Sequence, residues 1–195
     1  LPTRDKLIED YCKSLEAVGK AGIHLVCYNF MPVFDWTRTD LAMPLEDGST
    51  ALAYDSSIID GIDASEMFDR IEKASGGFVM PGWEPNRRDE IMDLFDKYKD
   101  VTADKLRENF KYFLDGIMPT CEKYQIKMAV HPDDPAWDVF GLPRIVTCED
   151  DLLKIASLNS SIYNGFTFCT GSLGSNLNND LPKIIRNPKI AERIH

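Results

Sequence analysis

Residues 102–131 read TADKLRENFKYFLDGIMPTCEKYQIKMAVH, and this stretch decides the fold class. It begins with Thr102, a residue type that caps helix N-termini. The apolar residues that follow recur at helical spacing: Leu106, Phe110, Phe113, Leu114 and Ile117. The segment from Ile126 to His131 then has the composition of a strand, and Pro132 ends it. A helix that leads directly into a strand is the repeating unit of α/β folds.

The same unit recurs on both sides of this stretch. A helical pattern over residues 7–18 precedes the apolar run Ile23–Phe30, which has little alternation, as in a strand buried on both faces. Downstream, Thr147–Asp150 resembles a capping box at the start of a helix. A strand at Gly165–Thr170 and a short helix at Asp180–Arg186 follow, and residues 193–195 open a further strand.

Repeated βα units predict parallel strands joined by right-handed crossovers. An open, doubly wound sheet and a closed barrel both fit the order of elements. The chain has no GxGxxG turn, so a dinucleotide-binding fold lacks its best support.

Residues 31–100 interrupt this regular order. They contain three turn signals: Asp47-Gly48, Gly76-Gly77 and Pro81-Gly82. Short helices are predicted at about 63–74 and 86–98. Connections of this length are often lids or binding loops. We therefore expect one domain over residues 1–195, with an insertion at about 31–100.

Composition limits the class of partner. The chain has 22 Lys and Arg against 32 Asp and Glu, a formal net charge of -10, which disfavours nucleic-acid and membrane-surface roles. No apolar run approaches the roughly 20 residues that cross a bilayer. The five cysteines form no CxxC pair and are expected to be reduced thiols. These features predict a cytoplasmic protein.

Candidate chemistry lies where the predicted strands end, because ligands of parallel α/β folds bind at the carboxyl ends of the strands. His131 closes an apolar strand and is followed by two carboxylates. Its imidazole could bind a metal, with Asp133 or Asp134 orienting the other ring nitrogen. A structural histidine that is hydrogen-bonded in a turn fits equally well.

Cys169 closes another predicted strand, next to Gly171. Its thiolate could be a metal ligand or a nucleophile, and a small buried apolar residue is the plainer interpretation. With His131 as base, the pair would fit a Cys–His hydrolase. Imidazole and thiolate also suit a borderline divalent ion, although two ligands do not complete a site.

Further polar residues follow the strand ends. Arg38 could hold a substrate carboxylate by a bidentate contact, and Trp36 could form a wall beside it. A surface loop with a salt bridge explains both residues equally well. Residues 178–180 are expected to cap the next helix, and the acidic pairs at 89–96 and 149–151 to face solvent.

Three long segments resemble the mannonate dehydratase family, in the order in which that family has them. The segment Cys27–Leu41 is similar to its strand-and-loop motif. Met128–Pro135, which continues to Gly141–Ile145, is similar to a second motif. Phe168–Gly174, followed by Asn179–Pro182, is similar to a third.

The resemblance implies a xylose-isomerase-like (β/α)8 TIM barrel, of which this chain covers roughly the middle half. It also implies a lyase of glucuronate catabolism that dehydrates D-mannonate to 2-keto-3-deoxy-D-gluconate and water. The implied cofactor is a divalent metal, with Mn²⁺ preferred and Fe²⁺ as the alternative. His131 and Cys169 match two of the family's metal ligands. The other ligands and the acid–base residues would lie beyond His195.

The remaining assignments follow from the resemblance and the residue types. We expect Asn29, Trp36 and Arg38 to contact the sugar acid and Asp134 to support the ligands through a hydrogen bond. A homodimer is compatible with the resemblance. Two alternatives stay open: a metal-dependent sugar isomerase or epimerase on the same barrel, and a non-catalytic sugar-acid-binding relative.

Overall fold

A computed structural model describes residues 2–59, 62, 64–74 and 83–195. The chain divides into two compact units. Unit 1 comprises residues 1–30, 102–136 and 145–195, and unit 2 comprises residues 31–101 and 137–144. The insertion predicted at about 31–100 coincides with the longer segment of unit 2. The turns predicted at Gly76-Gly77 and Pro81-Gly82 lie outside the described residues, and the single domain stays a prediction.

The described elements follow the predicted alternation of helices and strands. In chain order they are α1 (Pro2–Lys20), β1 (Leu25–Tyr28), β2 (Asp40–Pro44), β3 (Thr50–Ala53), α2 (Ser56–Ile59), α3 (Ala64–Ala74), a 3-10 helix (Pro85–Arg87), α4 (Arg88–Tyr98), α5 (Ala103–Tyr124), β4 (Lys127–Val130), α6 (Glu149–Leu158), β5 (Asn164–Phe166), α7 (Thr170–Gly174), α8 (Leu181–Arg186) and α9 (Pro188–Ala191).

Unit 1 is built on a parallel sheet. Within the described ranges it has three strands in the order β1-β4-β5, which is also their order along the chain. Leu25 pairs with Lys127, and Met128 pairs with Asn164. Ile194 forms a parallel bridge to Phe166, at the position where a further neighbour of β5 would begin. The predicted parallel α/β architecture is confirmed.

The two faces of this sheet differ. On one face the Tyr28 ring lies 6.2 Å from the Phe110 ring of α5. On the same face Asn164 Nδ2 donates to the carbonyl oxygen of Ile155 in α6, at 3.1 Å. On the other face Cys27 Sγ lies 3.2 Å from Thr167 Oγ1. Helices therefore cover one face, and small side chains at the ends of β1 and β5 meet on the other.

Strand β1 is less buried than its sequence predicts. A strand covered on both faces was expected, but Leu25 is 50% exposed, and exposure alternates along the strand. The reason is its position at one edge of the sheet, where the described helices pack on the Tyr28 side. By contrast, Met128, Ala129 and Val130 of the central strand β4 are all buried.

Helix α5 forms as predicted. Thr102 Oγ1 accepts a hydrogen bond from the Lys105 N–H, which satisfies one of the free donors at the helix start. Of the predicted apolar face, Leu106, Phe110, Leu114 and Ile117 are fully buried. Each such side chain contributes about 1.5–3 kcal/mol through burial. The helix continues past Pro119 and ends where Gln125 adopts a left-handed conformation.

The start of α6 departs from the predicted capping box. Thr147 donates from its backbone N–H and its hydroxyl to Asp151 Oδ2, at 3.3 and 2.7 Å, so the acid is one residue later than predicted. Asp151 also accepts from Arg107 Nη2 at 2.7 Å, and its side chain is 7% exposed. The prediction that this acidic run faces solvent is therefore wrong for Asp151.

Unit 2 contains an antiparallel hairpin and the two predicted helices. Strands β2 and β3 pair across the turn that was predicted at Asp47-Gly48. Helices α3 and α4 match the predicted ranges at about 63–74 and 86–98. The core of the unit contains Phe34, Trp83 and Leu142. Arg144 stacks over Phe34 at 4.8 Å and donates to the Phe34 carbonyl oxygen at 3.4 Å, which fixes residues 137–144 in this unit.

Candidate metal centre at the strand ends

His131 lies directly after β4. Its backbone N–H donates to the carbonyl oxygen of Tyr28 at 2.8 Å, which extends the pairing with β1 by one residue. Its ring Nδ1 lies 2.8 Å from the carbonyl oxygen of Pro132. A carbonyl oxygen only accepts, so this contact requires a proton on Nδ1 and leaves the Nε2 lone pair available. The ring thus has the orientation that metal-binding histidines commonly take from a backbone carbonyl.

Cys169 lies at the N-terminal end of α7, three residues after β5 ends. Its side chain is half-buried, and its Sγ lies 3.3 Å from Ser172 Oγ. The Thr167 N–H donates to the Val130 carbonyl oxygen at 3.0 Å, so the parallel pairing continues to the point where His131 begins. Both candidate ligands therefore follow the carboxyl ends of neighbouring parallel strands, on the same side of the sheet as seen along the strands.

Ser172 connects the segments that carry the two candidate ligands. Its hydroxyl oxygen lies 3.3 Å from Asp134 Oδ2 as well as 3.3 Å from Cys169 Sγ. A second connection runs through Ser175 Oγ, which accepts from the Ala136 N–H at 3.2 Å and donates to the Ser172 carbonyl oxygen at 2.7 Å. We call these contacts the serine link. Sequence reasoning missed the role of Ser172 because a serine after a strand end is a common residue without a spacing signal.

Asp133 closes the loop that follows His131. It is 1% exposed, and its Oδ2 accepts from the N–H groups of Ile145 and Val146, at 2.9 and 2.7 Å. Its own N–H donates to the Val146 carbonyl oxygen at 3.0 Å. Both ends of the loop are thereby held together in unit 1. The peptide bond between Asp134 and Pro135, in the same loop, is cis.

The predicted substrate-binding residues are divided between the units. Asn29 follows β1 in unit 1 and is exposed. Trp36 and Arg38 lie in unit 2, where the Arg38 guanidinium is 5.3 Å from the Trp36 ring and donates to the Thr37 carbonyl oxygen at 2.8 Å. The structure brings Trp36 and Arg38 together as a cation–π pair. The substrate contacts of all three residues stay predictions.

The sequence model of the D-mannonate dehydratase (UxuA) family matches residues 1–195. The chain belongs to the D-mannonate dehydratase family. It is 60% identical over 189 residues to the mannonate dehydratase of Brachyspira hyodysenteriae, and this alignment covers 97% of this chain and 53% of that protein. It is 48% identical over 195 residues to the mannonate dehydratase of Thermotoga maritima, and this alignment covers 100% of this chain and 54% of that protein.

A solved structure in the D-mannonate dehydratase family has the same fold over the whole chain. The crystal structure of mannonate dehydratase from Streptococcus suis serotype 2 matches with a TM-score of 0.83 and 40% sequence identity. The match covers 100% of this chain and 50% of that one. The chain thus spans about half the length of the mannonate dehydratases that it matches.

His131 and Cys169 have the donor types of a partial metal-ligand set. Across the described ranges, no group of three or more His, Cys, Asp and Glu side chains is arranged to hold a metal ion. His131 and Cys169 would supply one nitrogen and one sulfur, donors that suit a borderline divalent ion such as Fe²⁺. The hydrogen bond at His131 Nδ1 and the half-buried Cys169 thiol are both compatible with metal binding.

Two further observations concern the cysteines and the helices. All five cysteines are free, as predicted. Among the helices of the described residues, none is both long and apolar enough to span a membrane.

Proposed function

We propose that the protein to which this chain belongs is a lyase that dehydrates D-mannonate to 2-keto-3-deoxy-D-gluconate and water. The observation that carries the proposal is family membership along all of residues 1–195, with relatives named mannonate dehydratase at 60% and 48% identity. Because the chain spans about half of those relatives, the proposed activity belongs to the whole protein.

We further propose that the sheet of unit 1 is part of a closed (β/α)8 barrel. The strand order β1-β4-β5 follows the chain, and the bridge at Ile194 continues it in the same direction. A doubly wound sheet reverses its strand order at a switch point, where helices change faces. Here helices pack on the Tyr28 side, and the side of Cys27 and Thr167 would face the interior of a barrel. Additional strands would cover the exposed face of β1.

Within that barrel, His131 and Cys169 would hold a divalent metal, Mn²⁺ or Fe²⁺. When bound, the metal supplies an electrophile for oxygens of the sugar acid. His131 presents Nε2 because Nδ1 is held by the Pro132 carbonyl oxygen, and Cys169 presents its sulfur from the end of the neighbouring strand. Arg38 would bind the substrate carboxylate with two parallel hydrogen bonds, and Asn29 and Trp36 would contact the sugar chain. Residues outside this chain would carry out the proton transfers.

Metal removal tests this proposal. We expect the whole protein to lose dehydration of D-mannonate after chelation and dialysis, and to regain it with Mn²⁺ or Fe²⁺. The assay is the appearance of a 2-keto-3-deoxy acid, which an isomerase or epimerase would not form. Full activity in metal-free protein would disprove the metal role, and a rearranged sugar acid as the only product would disprove the dehydration.

A further inference from the structure

We propose that Ser172 is a positioning residue that orients the Cys169 sulfur for metal binding. This inference rests on the proposed role of Cys169 as a metal ligand. It assigns Ser172 a function in the affinity and geometry of the site, beyond its part in the fold.

The contacts of the Ser172 side chain support this role. Its hydroxyl oxygen lies 3.3 Å from Cys169 Sγ and 3.3 Å from Asp134 Oδ2. A serine hydroxyl has one proton, so it donates to one acceptor at a time: Asp134 Oδ2, or the Cys169 sulfur when that sulfur is a metal-bound thiolate. Ser172 is 3% exposed, whereas the thiol that it contacts is half-buried. The hydroxyl is therefore shielded from solvent, and its contact with Sγ would restrict the rotation of the Cys169 side chain.

The backbone around Ser172 is held by other contacts. Ser175 Oγ donates to the Ser172 carbonyl oxygen at 2.7 Å and accepts from the Ala136 N–H at 3.2 Å. Asn179 Nδ2 donates to the carbonyl oxygens of Leu173 and Thr147, each at 2.8 Å. Removal of the Ser172 hydroxyl would leave these contacts in place. The segment should then stay folded while the Cys169 sulfur gains rotational freedom.

This separation between backbone and side-chain contacts makes the inference testable. Hydrogen bonds behind a metal ligand orient it, and their loss commonly weakens metal affinity by about 10–100-fold. We expect Ser172→Ala, in the whole protein, to weaken Co²⁺ binding by about that factor. We also expect a change in the near-ultraviolet charge-transfer band between the thiolate and Co²⁺, which reports the geometry of the Co–S bond. Ser172→Thr keeps the hydroxyl and should largely retain the band.

Ser175→Ala is the matched control. It removes a serine hydroxyl from the same serine link but leaves the contact between Ser172 and Cys169 intact. It should lower the melting temperature while Co²⁺ affinity and the charge-transfer band stay unchanged.

The outcomes separate this inference from the proposed function. An unchanged band and affinity in Ser172→Ala would overturn the positioning role, and so would an equal change in Ser175→Ala. A band that persists in Cys169→Ala, or a parent protein that forms none, would instead overturn the proposed ligand role of Cys169. In that case the inference falls with it.

Discussion

At the scale of single residues, Tyr28 carries a buried hydroxyl for which the described residues provide no hydrogen-bond partner. Burial raises the pKa of this phenol well above its ordinary value. An unsatisfied buried hydroxyl costs stability, and its replacement by an apolar group of the same shape is nearly neutral or stabilising. We expect Tyr28→Phe to leave the free energy of unfolding unchanged or to raise it by up to about 1 kcal/mol. Urea titration of the whole protein measures this difference.

Tyr124 provides the matched comparison for Tyr28. Its hydroxyl donates to Glu16 Oε1 at 2.7 Å, so Tyr124→Phe removes a hydrogen bond that is made. This variant should lose stability in the same titration. A greater loss in Tyr28→Phe than in Tyr124→Phe would show that the Tyr28 hydroxyl has a partner after all.

The candidate site shows which of its residues can be identified from the sequence alone. His131 and Cys169 stand out because each is a ligand-type residue after a predicted strand, and the structure places both at the same edge of the sheet. Their roles as ligands stay predictions. Asp133 could not be distinguished from Asp134, because only the folded loop brings the N–H groups of Ile145 and Val146 to one of the two carboxylates.

At the scale of elements, an ion pair joins α5 to α6. Arg107 Nη2 lies 2.7 Å from Asp151 Oδ1, with the two side chains 16% and 7% exposed. Loss of one partner from a buried pair leaves an uncompensated charge and costs about 3–5 kcal/mol. We expect Asp151→Ala to lose stability at the low end of this range, since Arg107 retains some access to water and a contact with Asp104 at 3.0 Å. A shift in the urea midpoint of the whole protein measures the loss.

Asp150→Ala is the control for this pair, because Asp150 is the neighbouring acid on the same helix and is exposed. Its effect should stay within about 0.5 kcal/mol of zero. Equal effects of the two substitutions would mean that helix-end charge, and not the contact with Arg107, determines the loss.

The longer helices were predicted more accurately than the strands, whereas the short helices α2, α7 and α9 were not predicted. The periodic pattern of α5 extends over six turns, and even the shorter α3 and α4 fall within two residues of their predicted ranges. The hairpin of β2 and β3 was missed because each strand is so short that alternation gives little signal, although the turn between them was predicted. Strand β5 is shorter than predicted because pairing with β4 ends near Thr167.

At the scale of the whole molecule, the order of elements in the sequence predicted parallel α/β architecture but left the choice between sheet and barrel open, and only the family resemblance implied a barrel. That choice depends on strand order, which is a tertiary property and leaves no local pattern. The membership of residues 137–144 in unit 2 was equally unpredictable. It depends on contacts such as the one between Arg144 and Phe34, which are 110 positions apart in the chain.

The response of the whole molecule to alkaline pH depends partly on Cys121. Burial, with a smaller contribution from Cys12, raises the pKa of the Cys121 thiol from its ordinary value of 9.0 to about 12. Above pH 9 the unfolded chain releases this proton while the folded protein retains it, so stability falls as pH rises from 9 towards 12. We expect Cys121→Ala to be less stable than the parent at neutral pH because of the cavity, but to lose less further stability over this range. An equal decline in stability in Cys121→Ala and in the parent would contradict the assignment.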